Sequence, residues 1–115
     1  NGRKITMDNP AILQWLQHTF PKLELLLSVC TGSFILGNAG LLRGLSATTH
    51  HLAYNEFEEK YPATALIKNV KWVENEKIIT AGGISAGINM SLHVVDKLLG
   101  NNAGKRTAEY MEYDF

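Results

Sequence analysis

The amino-acid sequence predicts an α/β fold whose sheet is largely parallel. Apolar runs of strand length alternate along the chain with segments whose apolar residues recur at helical spacing. One run, residues 23–29, is nearly continuously apolar, which is typical of a parallel strand covered on both faces. Because the chain has 115 residues, of which 45% are hydrophobic, we expect one domain with a substantial core.

Local signals predict the first elements. Asn9 and Pro10 combine a helix-capping residue with a proline at the first helical position, and they predict a helix that Pro21 ends. Residues 23–29 then form the first strand. The small and apolar segment 31–37 predicts a second helix, which begins where this strand ends.

The remaining elements continue the alternation. Their predicted ranges are 47–49, 70–74 and 78–81 for the strands and 51–60, 85–99 and 105–113 for the helices. Gly100 is expected to stop the long helix. Residues at helical spacing should form the buried stripe of that helix, namely Ile84, Ile88, Leu92, Val95 and Leu99.

Charge and cysteine content narrow the classes of function. Lysine plus arginine equals aspartate plus glutamate at 11 each, so the chain lacks the basic excess that carries non-specific nucleic-acid binding. No stretch has the length of a membrane span. One cysteine permits no internal disulfide and favours a reducing, cytoplasmic location. We therefore expect no nucleic-acid and no membrane partner for this segment, whose start at Asn1 suggests a processed or partial product.

The single cysteine, Cys30, lies at a predicted strand-to-helix turn suited to a nucleophile. Such a turn brings the residues two before and two after the nucleophile close together, so both must be small. Ser28 and Gly32 fill those positions. The free N–H groups at the start of the following helix point at the sulfur and favour the thiolate, the species that attacks. The alternative is that Cys30 is a small buried residue, as many lone cysteines are.

His50 follows the short strand at 47–49, and two interpretations stay open for it. It either orients or deprotonates the Cys30 thiol, or it is a structural histidine near the pocket or a dimer interface. The remaining histidines are expected at the surface: His18, His51 and His93. Because no pair of histidines has metal-ligand spacing with a carboxylate, no metal site is predicted.

The glycine-rich segment 82–87 does not fit the G-x-G-x-x-G register of dinucleotide sites, and we predict no cofactor. Instead, Gly82 and Gly83 are expected to let the backbone approach the site. Ser85 is expected to cap the helix that follows.

Three segments together resemble the ThiJ/PfpI superfamily, the class I glutamine amidotransferase-like proteins. Residues 28–44 resemble the nucleophile turn of the family with its following helix and loop. Residues 47–50 resemble the strand end that brings a histidine toward the cysteine, and residues 80–88 resemble the glycine-rich loop beside the pocket. Since their order and spacing agree too, the resemblance covers nearly all of residues 23–113.

The resemblance implies a flavodoxin-like three-layer sandwich with a mostly parallel sheet, of which residues 1–115 are the C-terminal portion of a single domain. The implied site has catalytic residues Cys30, Thr31 and His50 and substrate-binding residues Gly82, Gly83 and Ile84. In this family the acidic residue that contacts the nucleophile comes from an N-terminal strand–helix unit. We expect that unit in a separate or cleaved chain or outside this sequence, and we expect a homodimer.

Within the superfamily, Cys30-Thr31-Gly32, the segment 47–50 and Glu112-Tyr113 most resemble the isocyanide hydratase branch. This implies a cofactor-free lyase whose thiolate attacks a small electrophilic substrate, forms a covalent thioimidate and releases an N-substituted formamide. The protease-like branch has a histidine at the position of Thr31, so peptidase activity is disfavoured. The alternatives are a redox-sensing or ligand-sensing domain related to AraC-type transcription regulators, and a general thiol hydrolase or glyoxal-handling enzyme on the same scaffold.

Overall fold

A computed structural model describes residues 8–100 and 102–114. The helices are α1 Pro10–Thr19, α2 Ser33–Asn38, α3 Tyr54–Lys60, α4 Ile84–Leu99 and α5 Ala103–Tyr110. The strands are β1 Leu26–Val29, β2 Ser46–Ala47, β3 Ala65–Leu66, β4 Trp72–Asn75 and β5 Ile78–Ala81. Short 3-10 turns occupy Phe20–Lys22, Cys30–Gly32 and His51–Ala53. Helices and strands alternate from α1 to β3, after which β4 and β5 follow as two further strands and α4 and α5 as two successive helices; the short strand β3 is not predicted by the sequence.

Strand pairing is parallel except at one hairpin. The order in the larger sheet is β1-β5-β4, with β1 parallel to β5 in the register Leu26 opposite Ile78 and Val29 opposite Ala81. β4 is antiparallel to β5, to which it is joined by a short turn, and β2 pairs in parallel with β3 in a second, two-stranded sheet. The predicted α/β class with a largely parallel sheet is confirmed.

Helices cover both faces of β5, which gives the three layers. Ile78 contributes to one core and Ile79 and Ala81 to the other, where Met90 of α4 packs on them. Alternate residues of a strand point to opposite faces, so this division places α4 on one face. The opposite core is built by buried side chains of α1, α2, α3 and the adjoining segments: Leu16, Phe34, Leu36, Ala39, Leu42, Ala47, Ala53 and Phe57.

β1 is an edge strand in the described part of the chain, because β5 is its one neighbour there. The predicted run 23–29 forms a strand only over its last four residues, which match the four residues of β5. Leu27 and Val29 stay 40% and 41% exposed, so the expected cover on both faces is incomplete. This strand therefore has an open edge and a partly exposed face within the described ranges.

The ends of α4 differ from the sequence prediction. Ile84 and Leu99, assigned to the buried stripe, are 80% and 70% exposed. The buried positions of this helix are Gly87, Asn89, Met90 and Leu92. The predicted stripe is wrong at both ends because α4 packs on a narrow sheet that its 16 residues outreach.

Helix termini follow the predicted signals with one exception. The Asn9 side chain accepts a hydrogen bond from the Ala11 N–H at 2.9 Å, and Gly100, at φ 67°, ends α4. Ser85 does not cap α4, since the helix begins one residue earlier and Gly83 occupies the cap position without a side-chain bond. The prediction for Ser85 is therefore wrong.

No helix within the described ranges is long and apolar enough to cross a membrane.

Candidate functional site

Cys30 lies where β1 ends and the 3-10 turn Cys30–Gly32 begins, directly before α2. Its φ is +56°, in the left-handed region that residues with a side chain rarely adopt. That conformation costs about 1–2 kcal/mol for a residue other than glycine. Backbone strain of this kind persists only where the surroundings enforce it, and it is concentrated at functional sites. The predicted strand-to-helix turn at Cys30 is confirmed.

The flanking residues meet as the turn geometry requires. A Cβ built on Gly32 would lie 3.7 Å from the Cβ of Ser28, an ordinary van der Waals contact, so the two residues that flank Cys30 are direct neighbours. Ser28 is buried, and Gly32 has right-handed dihedral angles, so backbone conformation does not restrict position 32 to glycine. The predicted close approach of the residues two before and two after Cys30 is confirmed, whereas the need for both to be small stays a prediction.

Both backbone polar groups of Cys30 are hydrogen-bonded. Its N–H donates to the carbonyl of Gly82 at 2.7 Å, and its carbonyl accepts from the Thr49 hydroxyl at 3.0 Å. Thr49 in turn accepts from the Ser33 hydroxyl at 2.9 Å. These contacts bring together the cysteine turn, the segment before His50 and the glycine loop, the three segments that carry the family resemblance.

The occupied N–H of Cys30 limits which amides can stabilise an anion beside the sulfur. The first N–H groups of a 3-10 segment lack partners within it, and here they belong to Cys30 and Thr31, because the Gly32 N–H falls at the position that bonds the carbonyl of the cap residue Val29. Because Cys30 gives its hydrogen to Gly82, the amide of Thr31 is left for an anionic atom of a substrate. The role predicted for the Thr31 amide is compatible with this arrangement and stays a prediction.

His50 is half-buried and has a defined tautomer when neutral. Its Nδ1 accepts a hydrogen bond from the Leu52 N–H at 3.1 Å, so the ring hydrogen is on Nε2. A Cβ built on Gly83 would lie 3.9 Å from Cδ2 of His50, which places the ring beside the glycine loop. In this state Nε2 is a donor, an arrangement suited to orienting a group and not to removing its proton.

His51 lies at the surface, as predicted, because the chain enters a 3-10 turn at this residue. Its ring stacks on that of His50 with a centroid distance of 4.4 Å.

The backbone of the segment before His50 packs closely against the glycine loop at Gly82. A Cβ on Gly82 would lie 3.5 Å from the carbonyl oxygen of Thr49, so the two segments pack closely. Ile84 projects into solvent from the start of α4. The predicted substrate-binding role of Gly82, Gly83 and Ile84 stays a prediction.

Two clefts among the described residues lie away from Cys30. Their volumes are about 270 Å³ and about 300 Å³, and they lie beside Tyr61 and Tyr113 respectively. Neither cleft includes Cys30 or the glycine loop.

Acidic groups are also missing from this site. No carboxylate in residues 8–100 and 102–114 hydrogen-bonds to Cys30, Thr49 or His50. Nor does any set of three His, Cys, Asp or Glu side chains in these ranges group to hold a metal ion.

His93 is not a surface residue, contrary to the prediction. Its ring stacks on Trp72 with a centroid distance of 4.9 Å, and Nε2 lies 2.7 Å from Oε1 of Glu74. Lys97 bonds the other carboxylate oxygen at 2.7 Å. The hydrogen bond from Lys97, followed by that from His93, lowers the pKa of Glu74 against the opposing effect of burial. Helical periodicity missed the contact because it does not reveal that β4 faces α4.

Sequence reasoning also missed Thr49 and Ser33. Both are buried, and their hydroxyls form the chain of hydrogen bonds that ends on the Cys30 carbonyl. A signal was available: the carbonyl of a nucleophile on a sharp turn needs a donor, and hydroxyl residues adjoin both His50 and Gly32 in the sequence.

Comparisons with known proteins agree with this geometry. The sequence model of the DJ-1/PfpI family matches residues 2–97. The chain is 34% identical over 107 residues to the isonitrile hydratase of Pseudomonas putida, covering 93% of this chain and 46% of that protein. It is 32% identical over 100 residues to the HTH-type transcriptional regulator CdhR of Pseudomonas aeruginosa, covering 87% of this chain and 30% of the regulator.

Solved structures show the same fold. A THiJ/PfpI family protein from Pseudomonas syringae superposes with a TM-score of 0.87 at 27% identity, covering 100% of this chain and 46% of that one. Drosophila melanogaster DJ-1beta superposes with a TM-score of 0.81 at 15% identity, covering 99% of this chain and 60% of that one. The chain thus spans half or less of the curated relatives it matches, and by sequence and fold it belongs to the DJ-1/PfpI family.

Proposed function

We propose that residues 1–115 form the C-terminal portion of a single domain, the portion that carries the nucleophile of a cofactor-free isocyanide hydratase. The observation that carries the proposal is the left-handed Cys30, whose two backbone polar groups are held by separate segments. The similarity to an isonitrile hydratase supports the choice of substrate class, since isonitrile and isocyanide name the same functional group.

The reaction starts at the terminal carbon of the isocyanide. The Cys30 thiolate forms a C–S bond to that carbon while a proton is delivered to it, which gives a thioimidate with a carbon–nitrogen double bond. Water then adds to the thioimidate carbon. The C–S bond breaks, the thiolate leaves and the product is an N-substituted formamide, so one water is consumed for each isocyanide.

Residues around Cys30 have defined parts in this scheme. The amide of Thr31 stabilises negative charge that develops during attack and hydration. The Nε2–H of His50 supplies a hydrogen-bond donor on the side of the glycine loop. The exposed Ile84 gives that side an apolar surface for the organic group of the substrate.

The proton donor and base of the scheme is a carboxylate from a part of the domain outside these residues, present in the same polypeptide or as a separate or cleaved chain. The free edge of β1 supports this view, since Leu27 and Val29 are incompletely covered there. The coverage of 46% of the isonitrile hydratase agrees with a domain of greater length. We place the assembled protein in the reducing cytoplasm as a homodimer, in which a free thiol stays usable.

The test is turnover by the complete protein. An aryl isocyanide is incubated with the protein, and formamide is quantified by chromatography. We expect formation of one formamide for each isocyanide, and loss of activity in Cys30→Ala with an unchanged circular dichroism spectrum. Absence of turnover by the folded, reduced wild-type protein would contradict the proposal.

A second candidate is a ligand-sensing domain, favoured by the 32% identity to the transcriptional regulator CdhR. In that case small molecules bind beside Cys30 without being consumed. Calorimetry on the complete protein distinguishes the two: saturable binding of an unchanged isocyanide favours a sensor, whereas heat release that continues until the substrate is exhausted favours the enzyme.

A further inference from the structure

We infer that Thr49 is a positioning residue for Cys30 and that Ser33 supports it in this role. The inference rests on the proposed function insofar as Cys30 is taken as the reactive thiol. Both hydroxyl residues are buried, and neither belongs to the site implied by the family resemblance.

The direction of each hydrogen bond is fixed by chemistry. The carbonyl of Cys30 can only accept, so the single hydroxyl hydrogen of Thr49 is donated to it. The contact between the two hydroxyls must then use the hydrogen of Ser33 and a lone pair of Thr49. Donors and acceptors therefore run in one direction, from Ser33 through Thr49 to the carbonyl of Cys30.

This arrangement holds the strained residue from both sides. Thr49 fixes the peptide group that follows the Cα of Cys30, and the carbonyl of Gly82 fixes the group that precedes it. With both peptide groups held, the left-handed φ of 56° cannot relax by rotation of either one. The direction of the Cα–Cβ bond, and hence the position of the sulfur, follows from the same constraint.

Thr49 also links the cysteine turn to the other site segments. Its backbone carbonyl packs 3.5 Å from the Cβ position of Gly82, the residue that accepts from the Cys30 N–H. The next residue in sequence is His50, whose ring lies beside Gly83. A shift of Thr49 would therefore move the cysteine, the histidine and the glycine loop relative to one another.

The test compares hydroxyl variants in the complete protein. Thr49→Val removes the hydroxyl at nearly constant shape, Thr49→Ser retains it, and Ser33→Ala removes the supporting donor. Thr64→Val is the matched control, because the buried Thr64 hydroxyl likewise donates to a backbone carbonyl, that of Leu42 at 2.8 Å, and it has no hydrogen bond to Cys30, His50 or the glycine loop.

Three measurements are made on each variant: the thermal midpoint, the rate of alkylation of Cys30 by iodoacetamide near neutral pH, and kcat and KM for an aryl isocyanide. We expect Thr49→Val to lower kcat roughly tenfold, with KM within about twofold of wild type. Alkylation should slow as well, because the sulfur would no longer be held in the position that the turn gives it. Thr49→Ser should restore both rates to within about threefold of wild type.

Ser33→Ala should lower the same rates by a smaller factor. The control Thr64→Val should lose a similar amount of thermal stability yet keep both rates within about twofold. If Thr49→Val and Thr64→Val lose the same stability and both keep wild-type rates, Thr49 is a structural residue only and the inference is wrong.

If Thr49→Val fails to fold, Ser33→Ala decides, since wild-type rates in that folded variant overturn the inference. Alkylation needs no isocyanide chemistry. An inactive wild-type protein whose alkylation still depends on the Thr49 hydroxyl would therefore reject the proposed reaction and support the positioning role.

Discussion

Replacing Cys30 by glycine and by alanine tests the strain at this residue. Alanine keeps a Cβ at the left-handed φ of 56°, and the cost of about 1–2 kcal/mol remains. Glycine removes that cost but loses about 0.5–1 kcal/mol through the greater freedom of the unfolded chain. Cys30→Gly should therefore unfold with a free energy about 0.5 kcal/mol higher than Cys30→Ala.

The assay is urea denaturation of both variants of the complete protein, followed by fluorescence of the tryptophans. The comparison is internal, because both variants lack the sulfur and differ by one methyl group. If position 30 instead had a right-handed or extended backbone, glycine would be the less stable variant by about 0.5–1 kcal/mol. The sign of the difference thus decides, and a less stable Cys30→Gly would refute the assignment of strain.

Other substitutions test the packing of two glycines and the ion pair between Glu74 and Lys97. Gly104→Ala should lower the free energy of unfolding, measured by urea denaturation, by about 2–3 kcal/mol, because its Cβ would collide with the carbonyl oxygen of Leu92. The lowered pKa of Glu74 means that its hydrogen bond with Lys97 stabilises the fold above the usual value of 4.5 and is lost as the pH falls below it. Lys97→Met should thus cost about 0.5 kcal/mol near neutral pH, and an undiminished difference from wild type in acid would contradict the assignment. Gly32→Ala should leave the alkylation rate of the Cys30 thiol unchanged, because its Cβ would lie in ordinary van der Waals contact with Ser28 at 3.7 Å. Gly32→Val should lower the free energy of unfolding in urea by about 1–3 kcal/mol, because its added methyl groups crowd the same contact.

The parts of the fold that the sequence predicts are those determined by neighbouring residues. The strand at 78–81 has its predicted bounds, and Asn9 and Gly100 mark helix ends as their local chemistry requires. The cysteine turn is predictable for the same reason, because the nucleophile and its small neighbours lie within five consecutive residues.

The features that could not be predicted depend on which segments face each other. A strand is predicted at 47–49, but the strand in the structure is Ser46–Ala47. It ends there because the two threonines that follow form hydrogen bonds with other parts of the chain. The N–H of Thr48 donates to the Thr80 hydroxyl at 2.8 Å, and Thr49 donates to a carbonyl 19 residues away. His93 likewise meets Glu74 only because α4 packs on β4, a contact that periodicity along one helix cannot reveal.

The hydrogen bonds that hold the backbone of Cys30 come from within the described residues, whereas the carboxylate that we propose for proton transfer lies outside them. The turn is held by hydrogen bonds that involve Gly82, Thr49 and Ser33, and none of these bonds uses the free edge of β1. It follows that the position of the thiol and the supply of protons depend on different parts of the proposed enzyme. Alkylation of Cys30 reports on the first part alone, and hydration of an isocyanide requires both. A variant that alkylates normally but fails to hydrate would therefore have its defect in proton transfer or substrate binding, and one that fails in both would have it in the turn around Cys30.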